Sequence, residues 1–510
     1  MQESTPFFST KTARTLALLV IFALGIAIRL YDLTDLPLDF HSTRQMLSAL
    51  KARGMYYETR AGVSPEERAF AVQQWNLRAS VEPEFFERIV AWTYQFTGEQ
   101  VWIARIYSSA FWIVGGIFLY LLARRLTSHD GAIAATAVYL FLPYAVIASR
   151  SFQPDPLMTM LIVIFLWAVW EWASLTRNPS SIGREARGRA WLYAILAGLF
   201  GGFAIFIKFP AAFFIVGGGL GAALSRGSIK EAFKNPQIYV MATLGILPAA
   251  GYLIYGIFIE DYLGQQFSGR FIPTLFLSPS YYLGWLNMLN LVMSGSVLML
   301  ALLALFFWDE KKRRFILGLW AGYAVFGLYF NYHISTHDYY SLPLIPMAAL
   351  SLAPLADFLF AKLAQLTSTK ILRLTSYLFL LWGILAVTWN TRNQLNAVDY
   401  RPEAAMWAEI SEVTDGYNLA GLTQDYGSRF AYWGWTYITS WPTYGDLLYS
   451  SERGGKRDFD EQFAEIAAKK NLFLVTDFND LSRQPLLQAK LEAYPVFAEG
   501  DGYVIYLLQP

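Results

Sequence analysis

The chain has 510 residues, of which 55% are apolar, 17% aromatic and only 15% charged, a composition that argues against a single soluble domain. Its 40 basic residues against 39 acidic ones give no global field that would gather nucleic acid or another polyanion. With no cysteine, disulfides, thiolate metal sites and cysteine nucleophiles are excluded, leaving carboxylates, His, Lys, Tyr and Ser/Thr for any chemistry.

The first apolar stretch, about 15–31, follows Lys11 and Arg14 and ends without a small-x-small cleavage signal. It therefore reads as a retained transmembrane helix. A hydrocarbon core about 30 Å thick needs roughly 20 apolar residues per helical span. That ruler finds about eleven candidates, near 15–31, 100–122, 131–149, 156–175, 191–207, 210–225, 238–259, 284–308, 315–332, 341–360 and 372–389. Around Lys208 and Pro210 the run GGFAIFIKFPAAFFIVGGG reads either as two spans with a tight turn or as one broken helix.

Alternate loops hold Lys11/Arg14, Arg124/Arg125, four arginines from Arg177 to Arg189, Arg226/Lys230/Lys234, Lys311 to Arg314, and Lys362/Lys370/Arg373. That is about eighteen basic residues against roughly three (Arg150, Lys208, Arg270) in the short loops of the other side. The bias predicts a cytoplasmic N-terminus, and an odd number of spans then places the C-terminus outside. The expected organisation is a mostly α, multi-pass domain over 1–390 with a long first outer loop, 32–99, followed by a small extracytoplasmic α/β domain over 391–510. In that tail RPEAAMWAEISEVT and FDEQFAEIAAKK read as helices, and YNLAGLT, NLFLVTDF and GYVIYLL as strands. The basic linker TRNPSSIGREARGR is the one low-complexity segment.

Polar residues at the ends of spans are the informative ones, because burying them is costly unless a site needs them. Four clusters fall on the outer face in this topology: DLPLDFHSTRQ, SRSFQPDP, IKFP and NYHISTHDYYSLP. A fifth, VEPEFFERIVAW, lies in the first loop with an amphipathic helix behind it. Each has a plain structural reading. Asp39 after Pro37 suits a turn, Asp155 in Pro-Asp-Pro an N-cap, Lys208 a snorkelling lysine, and His337, Tyr339 and Tyr340 an aromatic belt. DYGSRFAYWGW in the tail reads as core before it reads as a sugar-stacking platform. Against the plain readings stands convergence on one face. A carboxylate there can act as general base for an acceptor, while a lysine with His and Tyr can hold a departing phosphate. A lipid-linked phosphosugar needs both.

These motifs resemble the GT-C glycosyltransferases that use polyprenyl-phosphate sugars. The similarity is to the family 39-like branch containing protein O-mannosyltransferases and the lipid A aminoarabinose transferase. The resemblance runs over roughly 15–390. PLDFHSTRQ matches the place of the family's first acidic loop, and EPEFFERIVAWTYQFTGEQVWIARIYSSAFWIVGGIFLYLLARRL its segment into the second span. GAIAATAVYLFLPYAVIASRSFQPDPLM matches the third span and second acidic loop, GFAIFIKFP the lysine-containing loop, and HDYYSLPLIP the motif before a late span. The resemblance implies Asp39 as base or acceptor-orienting carboxylate and Asp155 as a second, positioning carboxylate. It implies Lys208 as a donor-phosphate contact flanked by His337 and Tyr340. Arg44 and His41 are candidates for sugar or phosphate binding, or simply a solvated loop. The family's usual Asp-Glu pair aligns with Thr43-Arg44, so Asp39 lies a few residues early and Glu82, Glu84 or Glu87 is an alternative carboxylate.

The expected partners are a polyprenyl-phosphate sugar donor, membrane lipid and an acceptor of unspecified class, without nucleic acid. No cofactor is expected, although clustered Asp, Glu and His leave room for a divalent ion. The expected location is the plasma (inner) membrane. Competing readings are a flippase or transporter of lipid-linked sugars, disfavoured by the scarcity of charges within spans, and an oligosaccharide polymerase or ligase.

Overall fold

The computed structural model describes residues 6–78, 82–176, 183–227, 229–264, 270–367, 369–455 and 458–509; part of the basic linker, 177–182 with Arg177, lies outside them. The chain forms two compact units. The first comprises Met1–Leu33, Ser80–Phe85 and Ala104–Asn396, and the second Thr34–Ala79, Phe86–Ile103 and Ala397–Pro510.

The first unit is helical, and the chain is a multi-pass membrane protein. Among the described residues seven helices are long and apolar enough to cross a membrane, or up to eight with the pair Pro279–Met293 and Gly295–Phe307, which is bent by 90°. The bend falls at Ser294, whose positive φ of 64° turns the chain while its side chain caps the second helix at the Val297 N–H. The other three expected segments are also helical, for identifiable reasons short of a full span. Leu142 and Pro143 break 131–149 into His129–Phe141 and Pro143–Ala148. Ala211–Arg226 has only 16 residues, and Glu310–Tyr329 begins with EKKRR.

Asp155–Leu175 is the most enclosed span, with 83% of its apolar window buried in the protein, whereas Lys370–Leu395 buries none of its own. On either side of the central span, helices meet backbone to backbone. A Cβ on Gly217 would stand 2.5 Å from the Gly318 carbonyl oxygen, and one on Gly322 2.4 Å from that of Phe213. Only glycine allows Ala211–Arg226 and Glu310–Tyr329 to approach so closely, the small-residue packing that replaces hydrophobic drive in lipid.

The second unit holds the helices Ser42–Thr59, Pro65–Asn76 and most of Phe85–Thr97, together with a five-stranded sheet. The Pro65–Asn76 helix opens with a full capping box between Ser64 and Glu67. Its strands are β1 (Leu419–Leu422), β2 (Ile438–Ser440), β3 (Leu472–Val475), β4 (Val496–Gly500) and β5 (Tyr503–Leu507), in the order β2-β1-β3-β5-β4. β1 runs parallel to β2 and β3, and β5 is antiparallel to β3 and β4. The strands β1 and β3 are wholly buried, as a continuous apolar run with helices on both faces requires. Leu419, Leu472 and Leu474 face Trp407 and Phe430, while Ala420, Leu422, Phe473 and Val475 face Trp441, Phe463 and Leu487.

Candidate active site

Lys208 and Asp155 meet inside the first unit. The Arg184–Ile207 helix ends at Ile207, Lys208 is extended (φ −157°), and Pro210 starts the next helix, so KFP is a tight turn between two helices. The lysine does not snorkel: it is 4% exposed, and its Nζ donates to both Asp155 carboxylate oxygens at 2.9 Å. Asp155 is no N-cap either. That position belongs to Pro154, and the Asp155 side chain, in the first turn of its helix, turns to the lysine instead. Glu82 Oε1 lies 4.0 Å from the same Nζ, and the rings of Tyr339 and Tyr340 present their faces to it at 4.9 and 5.2 Å. Desolvated cation–π geometry of this kind holds the ammonium in place.

Tyr340 links this pair to a cationic group. Its hydroxyl accepts from Arg270 Nη1 at 3.5 Å, its ring stacks on Phe326 at 5.9 Å, and the His333 ring lies 5.3 Å away. His337 stands 5.5 Å from His333 and bonds Thr336 Oγ1 through Nδ1 at 2.7 Å. Burial, then His337, Arg270 and Lys208, push the His333 imidazole down to about 3, so it stays neutral. Buried Asn331 exchanges two bonds with the Ile272 backbone, at 3.2 and 2.7 Å, which fixes the Arg270 segment to the start of the histidine helix. Thus Asp155, Lys208, Glu82, His337 and Tyr340 are brought together; half-buried Glu84 belongs to the same unit. The sequence alone does not single out His333, Arg270 and Asn331 as site residues; the helix ends at Thr336, and His337 is its extended C-cap.

Asp39, His41 and Arg44 belong to the second unit. Asp39 is half-buried and accepts from Gln45 Nε2 at 3.4 Å; burial, then the Asp39 charge, raises the Tyr400 hydroxyl. His41 is left-handed (φ 43°) at the N-cap of Ser42–Thr59, caps nothing with its side chain, and meets Phe40 edge-on at 4.6 Å. Arg44 is half-buried in the first turn of that helix. Glu87 is tied to Ser48 Oγ at 2.8 Å. A carboxylate not among the candidates, the first residue of the DYGSRFAYWGW segment read only for its rings, also arrives here: Asp425 accepts from Ser42 Oγ at 2.8 Å, Thr43 Oγ1 at 2.6 Å and Arg429 Nε at 2.6 Å. In the DYGSRFAYWGW segment Phe430 is core, and Tyr432 and Trp435 enclose the Arg53 guanidinium, itself paired with Glu99 at 2.7 Å. Among the described residues no group of three or more His, Asp or Glu is disposed to hold a metal ion.

A helical membrane unit together with an α/β unit has the architecture of the GT-C membrane glycosyltransferase fold. Residues 82–255 match the model of the dolichyl-phosphate-mannose-protein mannosyltransferase family. The chain is similar in structure to ArnT from Cupriavidus metallidurans in the apo state (TM-score 0.58, 15% identity, 97% of this chain and 98% of that one covered). It is likewise similar to ArnT bound to undecaprenyl phosphate (0.54, 15%, 96% of each). The archaeal oligosaccharyltransferase AglB from Archaeoglobus fulgidus, in complex with an inhibitory peptide and a dolichol-phosphate, matches at 0.52 and 11% identity, over 92% of this chain and 70% of that one. No curated protein matches significantly by sequence.

Proposed function

We propose that this chain transfers a single sugar, a hexose or pentose, from a polyprenyl-phosphate donor to a lipid, glycan or protein acceptor at the outer face of the inner membrane, inverting the anomeric carbon. In this reading the N-terminus is cytoplasmic, and 391–510, the tail domain of a 1–390 membrane catalytic domain, is extracytoplasmic. The observation that carries the reading is the buried Lys208–Asp155 pair beside Tyr340, Arg270 and the neutral histidine. A fixed cation with hydrogen-bond donors is what a leaving phosphate monoester needs, more than a general acid. The acceptor oxygen or nitrogen attacks C1 while the C1–O bond to phosphate breaks and its electron pair leaves with the phosphate. The acceptor proton passes to a carboxylate, Asp39 in the preferred assignment and Glu82 or Glu84 otherwise. Asp155 orients Lys208, Lys208 with His337 and Tyr340 holds the phosphate, and Arg44 and His41 contact sugar or phosphate. No resident metal is invoked, because the ammonium supplies the neutralising charge.

The test is purified protein in liposomes with a panel of radiolabelled polyprenyl-phosphate sugars, comparing wild type with Asp39→Asn and Lys208→Ala. Turnover lost in both variants supports the assignment; unchanged turnover in both sinks the site, and no turnover of any donor sinks the reaction class.

A further inference from the structure

The second unit contains a half-open cavity of about 240 Å³ whose chemistry is distinct from the Asp155–Lys208 cluster. Gln74, Arg78, Tyr426, Tyr437 and Ser440 line it, and none of its eight lining residues is acidic. Gln74 is 0% exposed, yet its Nε2 has no hydrogen-bond partner among the described residues, and neither has Arg78 Nε. Arg78 Nη2 donates to Gln74 Oε1 at 3.2 Å, which occupies the acceptor end of the amide and leaves its donor end unspent. Buried donors without partners are uncommon in folded proteins and call for an explanation. Burial pushes the Arg78 guanidinium down, with only the Tyr437 phenol opposing it, so its charge lacks a carboxylate counter-ion among the described residues.

The rim is aromatic. Tyr426 and Tyr437 are 41% and 46% exposed, and Tyr426 is fixed by its bond to Asp446 Oδ1 at 3.0 Å. Asp425, Tyr426 and Gly427 are left-handed in succession (φ 55°, 54° and 72°), a sparsely populated backbone that places Tyr426 at the opening. Gly427 has no room for a side chain, since a Cβ would meet Ile438 Cγ2 at 2.2 Å. Amphipathic rings at a rim offer faces to the C–H surface of a sugar, and the volume lies below the ~300–1,000 Å³ of sites for drug-sized ligands.

We propose that this cavity binds an anionic saccharide, one sugar ring carrying a carboxylate or a phosphate monoester, with Arg78 and Gln74 on the anion and Tyr426 and Tyr437 on the ring. Its occupancy is readable without any transfer reaction. Titration of the full-length protein in detergent with glucuronate, glucose 6-phosphate, glucose and inorganic phosphate, followed by calorimetry and saturation-transfer NMR, tests it. At least one anionic sugar is expected to saturate, with glucose about ten-fold weaker or more, and Arg78→Gln weakening the bound sugar about ten-fold. Which of the two anionic sugars binds identifies the anion. Tyr437→Ala, at an exposed position, provides a variant whose folding is not in question and is also expected to weaken binding. Failure of both anionic sugars to bind wild type, or binding unchanged in both variants, overturns the proposal. Inorganic phosphate binding as tightly as glucose 6-phosphate overturns the saccharide.

Discussion

Replacing Lys208 with methionine keeps the length of the stem and removes the charge, which isolates what the ammonium does. The side chains of Lys208 and Asp155 are 5% and 3% exposed and share two 2.9 Å bonds, so the variant leaves a carboxylate buried without its cation. Breaking a buried pair from one side costs about 3–5 kcal/mol, and loss of the contacts to the Tyr339 and Tyr340 faces adds about 1 kcal/mol. Asp155→Asn alone is expected to destabilise through the stranded ammonium. The double variant Lys208→Met/Asp155→Leu strands neither charge and should recover most of the loss, giving a coupling of at least about 2 kcal/mol in a double-mutant cycle. Reversible unfolding in mixed micelles with increasing SDS measures the stability, and transfer from a polyprenyl-phosphate sugar measures function in the same samples. Recovered stability with activity still absent is the signature of a pair needed for more than folding. A Lys208→Met variant as stable as wild type to within about 0.5 kcal/mol would refute the reasoning, because the pair would then have to be hydrated.

Below its ordinary value of 6.5 and above about 3, His333 binds a proton in the unfolded chain and not in the folded one, so stability should rise with pH across that window and level off above it. The slope should be shallower in His333→Gln, as unfolding midpoints from pH 4 to 8 would reveal. Gly322→Ala forces a methyl against the Phe213 carbonyl oxygen at 2.4 Å and should cost about 1–3 kcal/mol, read by the same SDS titration. Trp407→Ala opens the 0% exposed core under β1 and β3 and should cost about 3–5 kcal/mol, with the loss seen first as proteolysis within 397–509. Chelation with EDTA is expected to leave sugar transfer unchanged; a loss restored by one divalent ion would contradict the charge-neutralising role assigned to Lys208.

Hydropathy made the helices legible because lipid demands continuous apolar runs, and every expected span falls on helix. Three expected spans form helices that fall short of a full span in length or apolarity, where a proline, a short run or a cluster of cations interrupts the pattern, as at Pro143, Ala211–Arg226 and Glu310–Arg314. In the tail the buried runs NLAGL, LFLV and YVIYL announced β1, β3 and β5, while β2 is only three residues and β4 is a largely exposed edge with just three apolar residues, Val496 to Ala498. The site was legible as residue types: Asp155, Lys208 and Tyr340 stood out as polar groups beside apolar spans. Their pairing was not, because Asp155 and Lys208 are 53 positions apart and only the packing of two helices decides that they meet. Asp425 escaped notice for a similar reason, since its partners Ser42 and Thr43 lie more than 380 positions away.

The glycine seam between Ala211–Arg226 and Glu310–Tyr329 has a consequence for how the cluster behaves in a fluctuating bilayer. Lys208 stands just before one of these helices, and His333, Tyr339 and Tyr340 lie just beyond the other. At Gly217, Gly221, Gly318 and Gly322 backbone meets backbone, so the spacing there is a main-chain van der Waals distance that rotamer exchange does not change, with Phe213 and Phe214 packed against Tyr323 and Phe326 beside it. Changes in lipid thickness or temperature that tilt the two helices should therefore carry them as one bar, preserving the ammonium-to-phenol gauge while the 90° break at Ser294 takes up the deformation.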